Sequence, residues 1–152
     1  SDMIDIVFKY NGTLDKIIGD ELMVVYGAPI ANSDDTFRAV STAIEMQKKI
    51  KIINLKRKKT GLFPIQVGIG LNKGLVVSGN IGSREMMDYT VIGDTVNLGS
   101  RLCSFAEADD IIISKSVWKT IQNDFHFKKL TPIKVKGKEK QVEIYKLIDF
   151  KS

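Results

Sequence analysis

One cysteine, Cys103, in 152 residues excludes an internal disulfide, suits a reducing compartment, and leaves the fold to depend on an apolar core. Histidine is as scarce: His126 stands between Phe125 and Phe127 with no partner nearby in sequence. That argues against a histidine–cysteine metal site or a Ser-His-Asp triad and predicts a packed ring. No apolar run approaches the ~20 residues of a bilayer span, so the segment is expected to be soluble. Neither Gly68-Ile-Gly70 nor Gly79-Asn-Ile-Gly82 carries a third glycine or a Gly-Lys-Ser/Thr at the required offset, which excludes the dinucleotide and Walker nucleotide folds. No internal repeat or low-complexity tract is found.

What is present suits one globular domain, with 43% apolar residues in a chain of ordinary domain length. The net charge of +5 is concentrated in residues 48–59 and 128–140. Neither stretch is interleaved with aromatic residues, so both read as solvated faces and specific nucleic-acid binding is not expected. The chain opens without methionine or a signal-peptide pattern. Apolar residues at 3, 4, 7 and 8 begin in mid-helix, which reads as a piece of a longer protein.

The first helix is expected to end at Asn11-Gly12, a pair that readily adopts the left-handed conformation. Residues 14–18 and 22–26 read as a hairpin around Gly19-Asp-Glu21. Residues 32–35 offer capping side chains to a long helix bearing Phe37, Val40, Ala43, Ile44 and Met46. A second hairpin is predicted from 65–71 and 75–78 around Asn72-Lys-Gly74. A helix is predicted at 95–106, and a buried strand at 111–113 followed by a helix capped by Ser114. A terminal strand pair is predicted at 131–135 and 142–147. This alternation predicts an α+β or α/β domain.

Two segments concentrate groups suited to a nucleoside triphosphate. In Gly12-Thr-Leu-Asp-Lys-Ile-Ile-Gly-Asp20, Asp20 can either bind its own turn backbone or project as a hard-cation ligand. Lys16 lies on the same face of an extended strand but ~13 Å away, too far for both to serve one small group from one strand. If both function, a symmetric dimer pairs the lysine of one subunit with the carboxylate of the other. In Asp88-Tyr-Thr-Val-Ile-Gly-Asp-Thr-Val-Asn-Leu-Gly-Ser-Arg-Leu102, Asn97 and Arg101 are spaced i, i+4 on one helix face. That face is either an ordinary polar surface or an amide and an arginine presented to a sugar and a phosphate. Lys136-Gly-Lys138 reads as a solvated turn or a phosphate contact.

Taken together, these segments closely resemble the catalytic domain of the class III nucleotidyl cyclases, the adenylate and guanylate cyclase family. The matching text is 12–20, Val67-Gly-Ile-Gly-Leu-Asn-Lys-Gly74, 79–83, 88–97, Ser100-Arg-Leu102 and Val135-Lys-Gly-Lys138. The resemblance implies a single α+β catalytic domain over 1–152, with a ferredoxin-like sheet and flanking helices, whose first strand this chain lacks. It implies a homodimer with composite sites at the interface, converting ATP to cyclic AMP and pyrophosphate with two Mg2+ or Mn2+ ions per site. Carried over by position, Asp20 matches one of the family's two metal-binding aspartates, and Lys16 and Thr90 the pair that reads the purine. Asn97 matches the residue that orients the ribose, Arg101 the arginine that stabilises the phosphoryl transition state, and Lys136 the lysine on the polyphosphate. A lysine and a hydroxyl suit adenine: the ammonium donates to a ring nitrogen, while the hydroxyl accepts from the exocyclic amine. The same pair could also meet guanine. The domain is expected to be cytoplasmic, without membrane contact of its own.

The chain departs from the family pattern in having no Phe-x-Asp-hydrophobic-x-Gly-Phe segment, which normally carries the other metal aspartate. It is therefore expected to be inactive alone. Gly99 and Cys103 stand where the family commonly has alanine and an acidic residue. A non-catalytic regulatory cyclase-like domain, a guanylate cyclase and a basic RNA-binding module are the competing readings.

Overall fold

The computed structural model describes residues 2–28, 30–81, 88–135 and 140–151. In chain order these form α1 (Asp2–Lys9), β1 (Thr13–Ile18), β2 (Glu21–Val25), α2 (Asp35–Lys59), β3 (Ile69–Leu71), β4 (Val77–Ile81), β5 (Asp88–Ile92), α3 (Asp94–Phe105), β6 (Ile111–Ser114), α4 (Lys115–Ile121), β7 (Phe125–Lys129) and β8 (Ile144–Phe150). The fold is α+β.

The main sheet has the order β3–β6–β8–β7, with β3 parallel to β6 and the other pairs antiparallel. Its centre explains the run Ile111-Ile-Ile113. Side chains alternate across a strand, so Ile111 and Ile113 join Val40, Ala43 and Ile44 of α2 and Val117 and Ile121 of α4 on one face. Ile112 joins Leu102 of α3 and Ile144 on the other. Helices cover both faces, and an uninterrupted apolar strand is what such a double cover requires. Phe125, fully buried, closes the first cluster against Phe37 and Phe150 at ring separations of 5.4 and 5.2 Å.

Several expected elements form as the local chemistry dictates. Asn11 takes φ 58°, and Gly12 N–H donates to the Val7 carbonyl at 2.9 Å, ending α1. Gly19 at φ 59° makes the reversal between β1 and β2 with Asp20. Ser114 Oγ accepts from Val117 N–H at 3.4 Å at the start of α4. Ser114→Ala is expected to cost about 1 kcal/mol, read as a lower urea midpoint at unchanged slope.

Other expectations are corrected. Residues 65–71 and 75–78 do not form a hairpin: β3 gives its ladder to β6, while β4 pairs with β5, Val77 opposite Ile92. The terminal pair is reduced to one bridge, Ile133 with Val142, because β8 is taken by β6 and β7. The predicted packed ring at His126 is instead exposed. It lies on β7, where Phe125 takes the inward position and its neighbour must point out.

The start of α2 also differs. Asp34 stands at the N-cap without a side-chain cap bond, because Arg38 draws on the acidic pair instead. Its Nε donates to Asp34 Oδ1 at 3.0 Å, an Nη to Asp35 Oδ1, and the other Nη to the Tyr10 carbonyl at 2.6 Å. The guanidinium carbon lies 5.4 Å from the centre of the Tyr26 ring. One largely buried cation thus ties the end of α1, the end of the β1–β2 hairpin and the first turn of α2 together.

Candidate active site

The helix bearing Asn97 and Arg101 is placed by backbone contact. α3 follows β5 through Gly93 at φ 132°, and Asn97 N–H closes the first turn on the Gly93 carbonyl at 3.1 Å. Under the helix lies β3, where two glycines allow the close approach. A Cβ on Gly70 would stand 2.3 Å from Cys103 N, and one on Gly68 2.9 Å from the Ala106 carbonyl oxygen. Asn72 Nδ2 donates to the Thr95 carbonyl at 2.9 Å, securing the N-terminal turn. With Leu102 buried and Leu98 packed behind it, the opposite side of α3 presents Asn97, Ser100, Arg101 and Ser104 to solvent. The predicted shared face of Asn97 and Arg101 is present, and it faces outward.

Cys103 lies on the buried side and is half-buried, its Sγ 3.6 Å from the Gly68 carbonyl. Burial pushes its thiol above the ordinary value, and the Glu21 carboxylate adds to the shift. The group is therefore a neutral thiol at physiological pH.

The hairpin supplies the other groups. Asp20 is exposed at the β1–β2 turn. Lys16 is partly exposed, with its Nζ 3.4 Å from Asp15 Oδ2, and the Asp15 side chain is fully buried. Asp15 stands where the ladder slips between Leu14 and Lys16, and this bulge turns a carboxylate inward beside the lysine. β1 also lies close to β5, whose Thr90 pairs through its backbone with Gly79. Lys136 lies outside the described residues.

Two clefts among the described residues lie apart from these side chains. An open cleft of about 390 Å3 is lined by Thr13, Gly27, Asn32 and Arg38, behind the hairpin. Another, of about 300 Å3, lies between Asp94 of α3 and Lys115 of α4. Neither includes Lys16, Asp20, Asn97 or Arg101.

The fit to divalent cations is partial. Asp20 offers one exposed carboxylate, and among the described residues no group of three His, Cys, Asp or Glu side chains could hold an ion. Hard cations of this kind take six or more oxygen donors, so the described residues of one chain do not complete a two-ion site.

The reading of the residues overlooked Arg38 and Asp15. Arg38 has a visible signal in its i, i+4 spacing from Asp34 and i, i+3 spacing from Asp35. Asp15 has none, since a bulge is created by the register of the partner strand.

The adenylate and guanylate cyclase catalytic domain family matches residues 2–149, and the chain belongs to it. The adenylyl cyclase CyaB of P. aeruginosa is 37% identical and superposes with a TM-score of 0.91, over 97% of this chain and 77% of that one. The guanylyl cyclase Cya2 is 34% identical with a TM-score of 0.88, over 99% and 76%. An adenylate cyclase of Anabaena cylindrica is 35% identical over 145 residues, which are 90% of this chain and 28% of that protein. A guanylyl cyclase domain from Blastocladiella emersonii, described as a non-canonical dimer, is 27% identical, with a TM-score of 0.85 over 99% of this chain and 79% of that one. The chain thus spans under a third of the length of its curated relative from Anabaena cylindrica, and its relatives act on both adenine and guanine nucleotides. The family works with divalent metals.

Proposed function

We propose that this chain is the catalytic domain of an adenylate cyclase, acting in the cytoplasm as a homodimer. The observation that carries this reading is the outward face of Asn97 and Arg101 on a helix seated on glycine backbone. In the reaction, the ribose 3′-oxygen of ATP attacks the α-phosphorus, the bond to the β-phosphate oxygen breaks, and pyrophosphate leaves with that electron pair. The 3′-hydroxyl proton passes to solvent or to the leaving group. Arg101 donates to the non-bridging and leaving oxygens as charge builds on them. Asn97 holds the ribose so that the attacking oxygen lies in line, and Lys136 contacts the polyphosphate. Lys16 and Thr90 read the purine. Asp15, its Oδ2 3.4 Å from the Lys16 Nζ, orients the ammonium.

Asp20 is the carboxylate offered to Mg2+ or Mn2+, and the remaining donors come from outside the described residues. The chain alone is accordingly expected to bind nucleotide without turning it over at the rate of a complete domain. A second reading, guanylate cyclase, is favoured by the 34% identity to Cya2. Calorimetry on the chain with analogues of ATP and GTP, with and without Mn2+, and with single-stranded RNA separates the readings. Metal-dependent binding that prefers the adenine analogue supports the proposal, and a preference for the guanine analogue supports the second. Salt-sensitive RNA binding without triphosphate binding overturns both. Formation of cyclic AMP from ATP is the corresponding assay in any longer protein that carries the domain.

A further inference from the structure

From residue 46 to residue 84 the sequence contains no aspartate or glutamate, while Lys48, Lys49, Lys51, Lys56, Arg57, Lys58 and Lys59 fall within it. The structure gathers this charge at one end of the domain. The middle of α2 is core, with Val40 to Ile50 largely buried, but from Lys51 onward the helix emerges. Lys48 is occupied by Asp149 at 3.1 Å, and the later lysines have no acidic neighbour among the described ion pairs.

Apolar groups are exposed among these cations. Lys51, Ile52, Leu55, Lys56 and Lys59 fall on one arc of a helix with 3.6 residues per turn, the two aliphatic residues lying between lysines. Ile52 and Leu55 are 49% and 65% exposed. Beyond the helix the chain turns back at Gly61, φ 75°, and is pinned in place. Arg57 Nε donates to the Phe63 carbonyl at 2.6 Å, and Leu62 N–H to the Arg57 carbonyl at 2.9 Å. Asn54 exchanges two bonds with the backbone of Ile65, at 2.9 and 2.7 Å. The result is a fixed reversal whose side chains point into solvent, Leu62 54% and Phe63 87% exposed. Holding a phenylalanine ring in water on a hydrogen-bonded reversal has no folding benefit, because the bonds use only its carbonyl.

We propose that the end of α2 and the 60–65 reversal form a contact surface for an anionic lipid bilayer, with Leu62 and Phe63 entering the headgroup region and the lysines meeting lipid phosphates. A bilayer is favoured over an acidic protein by the way the exposed apolar groups Ile52, Leu55, Leu62 and Phe63 lie among the cations, as insertion beneath a charged headgroup layer requires. It is favoured over a nucleic acid because the exposed groups Ile52, Leu55 and Leu62 are aliphatic and Phe63 alone offers a ring on which a base could stack. Lysines around exposed aliphatic and aromatic side chains are the pattern that holds a peripheral domain at an interface. This surface lies about 30 Å along the helix axis from Arg38, which anchors the catalytic hairpin, so a membrane-seated domain keeps Lys16 and Asp20 free. The inference departs from the expectation that the domain makes no membrane contact, and it stands whether or not the domain turns over ATP.

The test is partitioning of the 152-residue chain onto phosphatidylcholine vesicles with and without about 30 mol% phosphatidylserine, followed by sedimentation. Binding is expected only with the anionic lipid, with release at high salt. Phe63→Ser and the pair K56E/K59E are each expected to lower partitioning about tenfold. Because the Phe63 side chain is in solvent, Phe63→Ser should unfold at the parent temperature. In Phe63→Trp, bromine-labelled acyl chains should quench the new tryptophan. Equal binding to neutral vesicles, or no binding to either, overturns the proposal. So does binding unaffected by Phe63→Ser together with equal retention on single-stranded RNA or polyglutamate, which would mark a general polyanion or protein site.

Discussion

Replacing Arg101 with alanine is expected to lower cyclic nucleotide formation about 10²–10³-fold in any longer protein that carries this domain, the loss typical of removing one preorganised transition-state donor. Stability should not follow. Arg101 is exposed on α3 and faces away from Leu102 and the core, and surface changes of this kind usually stay within about 0.5 kcal/mol. The separation of the two effects is what makes the measurement informative. A residue that merely binds substrate would raise KM at unchanged kcat, whereas a donor used as charge develops lowers kcat with KM little changed. Arg101→Lys should recover only part of the rate, because a point charge cannot reproduce the planar fork that meets two phosphoryl oxygens at once. Ser104 provides the control on the same face. Its hydroxyl donates to the Ser100 carbonyl at 3.2 Å within the helix, and Ser104→Ala should leave kcat as it is. An Arg101→Ala enzyme that retains the parent kcat would remove Arg101 from the chemistry.

The elements carrying these groups were legible where local chemistry decides structure. Asn11 and Gly19 adopt the positive φ that their turns demand, and the i, i+4 pair on α3 needed only a helix after Gly93. What was not legible depends on partners distant in sequence. Residues 65–71 alternate like a hairpin strand, yet β3 pairs with β6, some forty positions later, and nothing in the local pattern selects that partner. His126 was expected inside because its neighbours are phenylalanines, but the strand period puts Phe125 in the core and leaves the imidazole outside. Asp15 was unremarkable until the register slip turned it inward beside Lys16. The site shares this dependence. Lys16 and Asp20 sit on the β1–β2 hairpin and Asn97 and Arg101 on α3, and neither of the two clefts described above includes any of them.

Two glycines, one on each side of the contact between β3 and α3, should respond to alanine with opposite signs. At Gly70 the added methyl would stand 2.3 Å from Cys103 N and 2.8 Å from both Cys103 Cα and the Gly99 carbonyl oxygen. All three are backbone atoms, so no side-chain rotation relieves the clash, and α3 must lift or β3 must bend. Gly70→Ala is therefore expected to cost about 3 kcal/mol or more, at the upper end of overpacking effects. At Gly99 the nearest atom to an added Cβ is Asn72 Cβ at 3.7 Å, ordinary contact. Gly99→Ala should stabilise by up to about 1 kcal/mol, since alanine replaces glycine inside a helix. Urea unfolding of the two variants checks both signs. The consequence for function follows from the same geometry: Leu102 and Cys103 seat the helix, and Asn97 and Arg101 ride on its far side. A helix lifted from β3 carries both out of register with anything held by Lys16 and Asp20. Any Gly70→Ala protein that still folds should thus lose turnover in the longer protein, while Gly99→Ala keeps it. A Gly70→Ala chain as stable as the parent would mean that α3 is not seated on the β3 backbone, and the placement of Arg101 would need another cause.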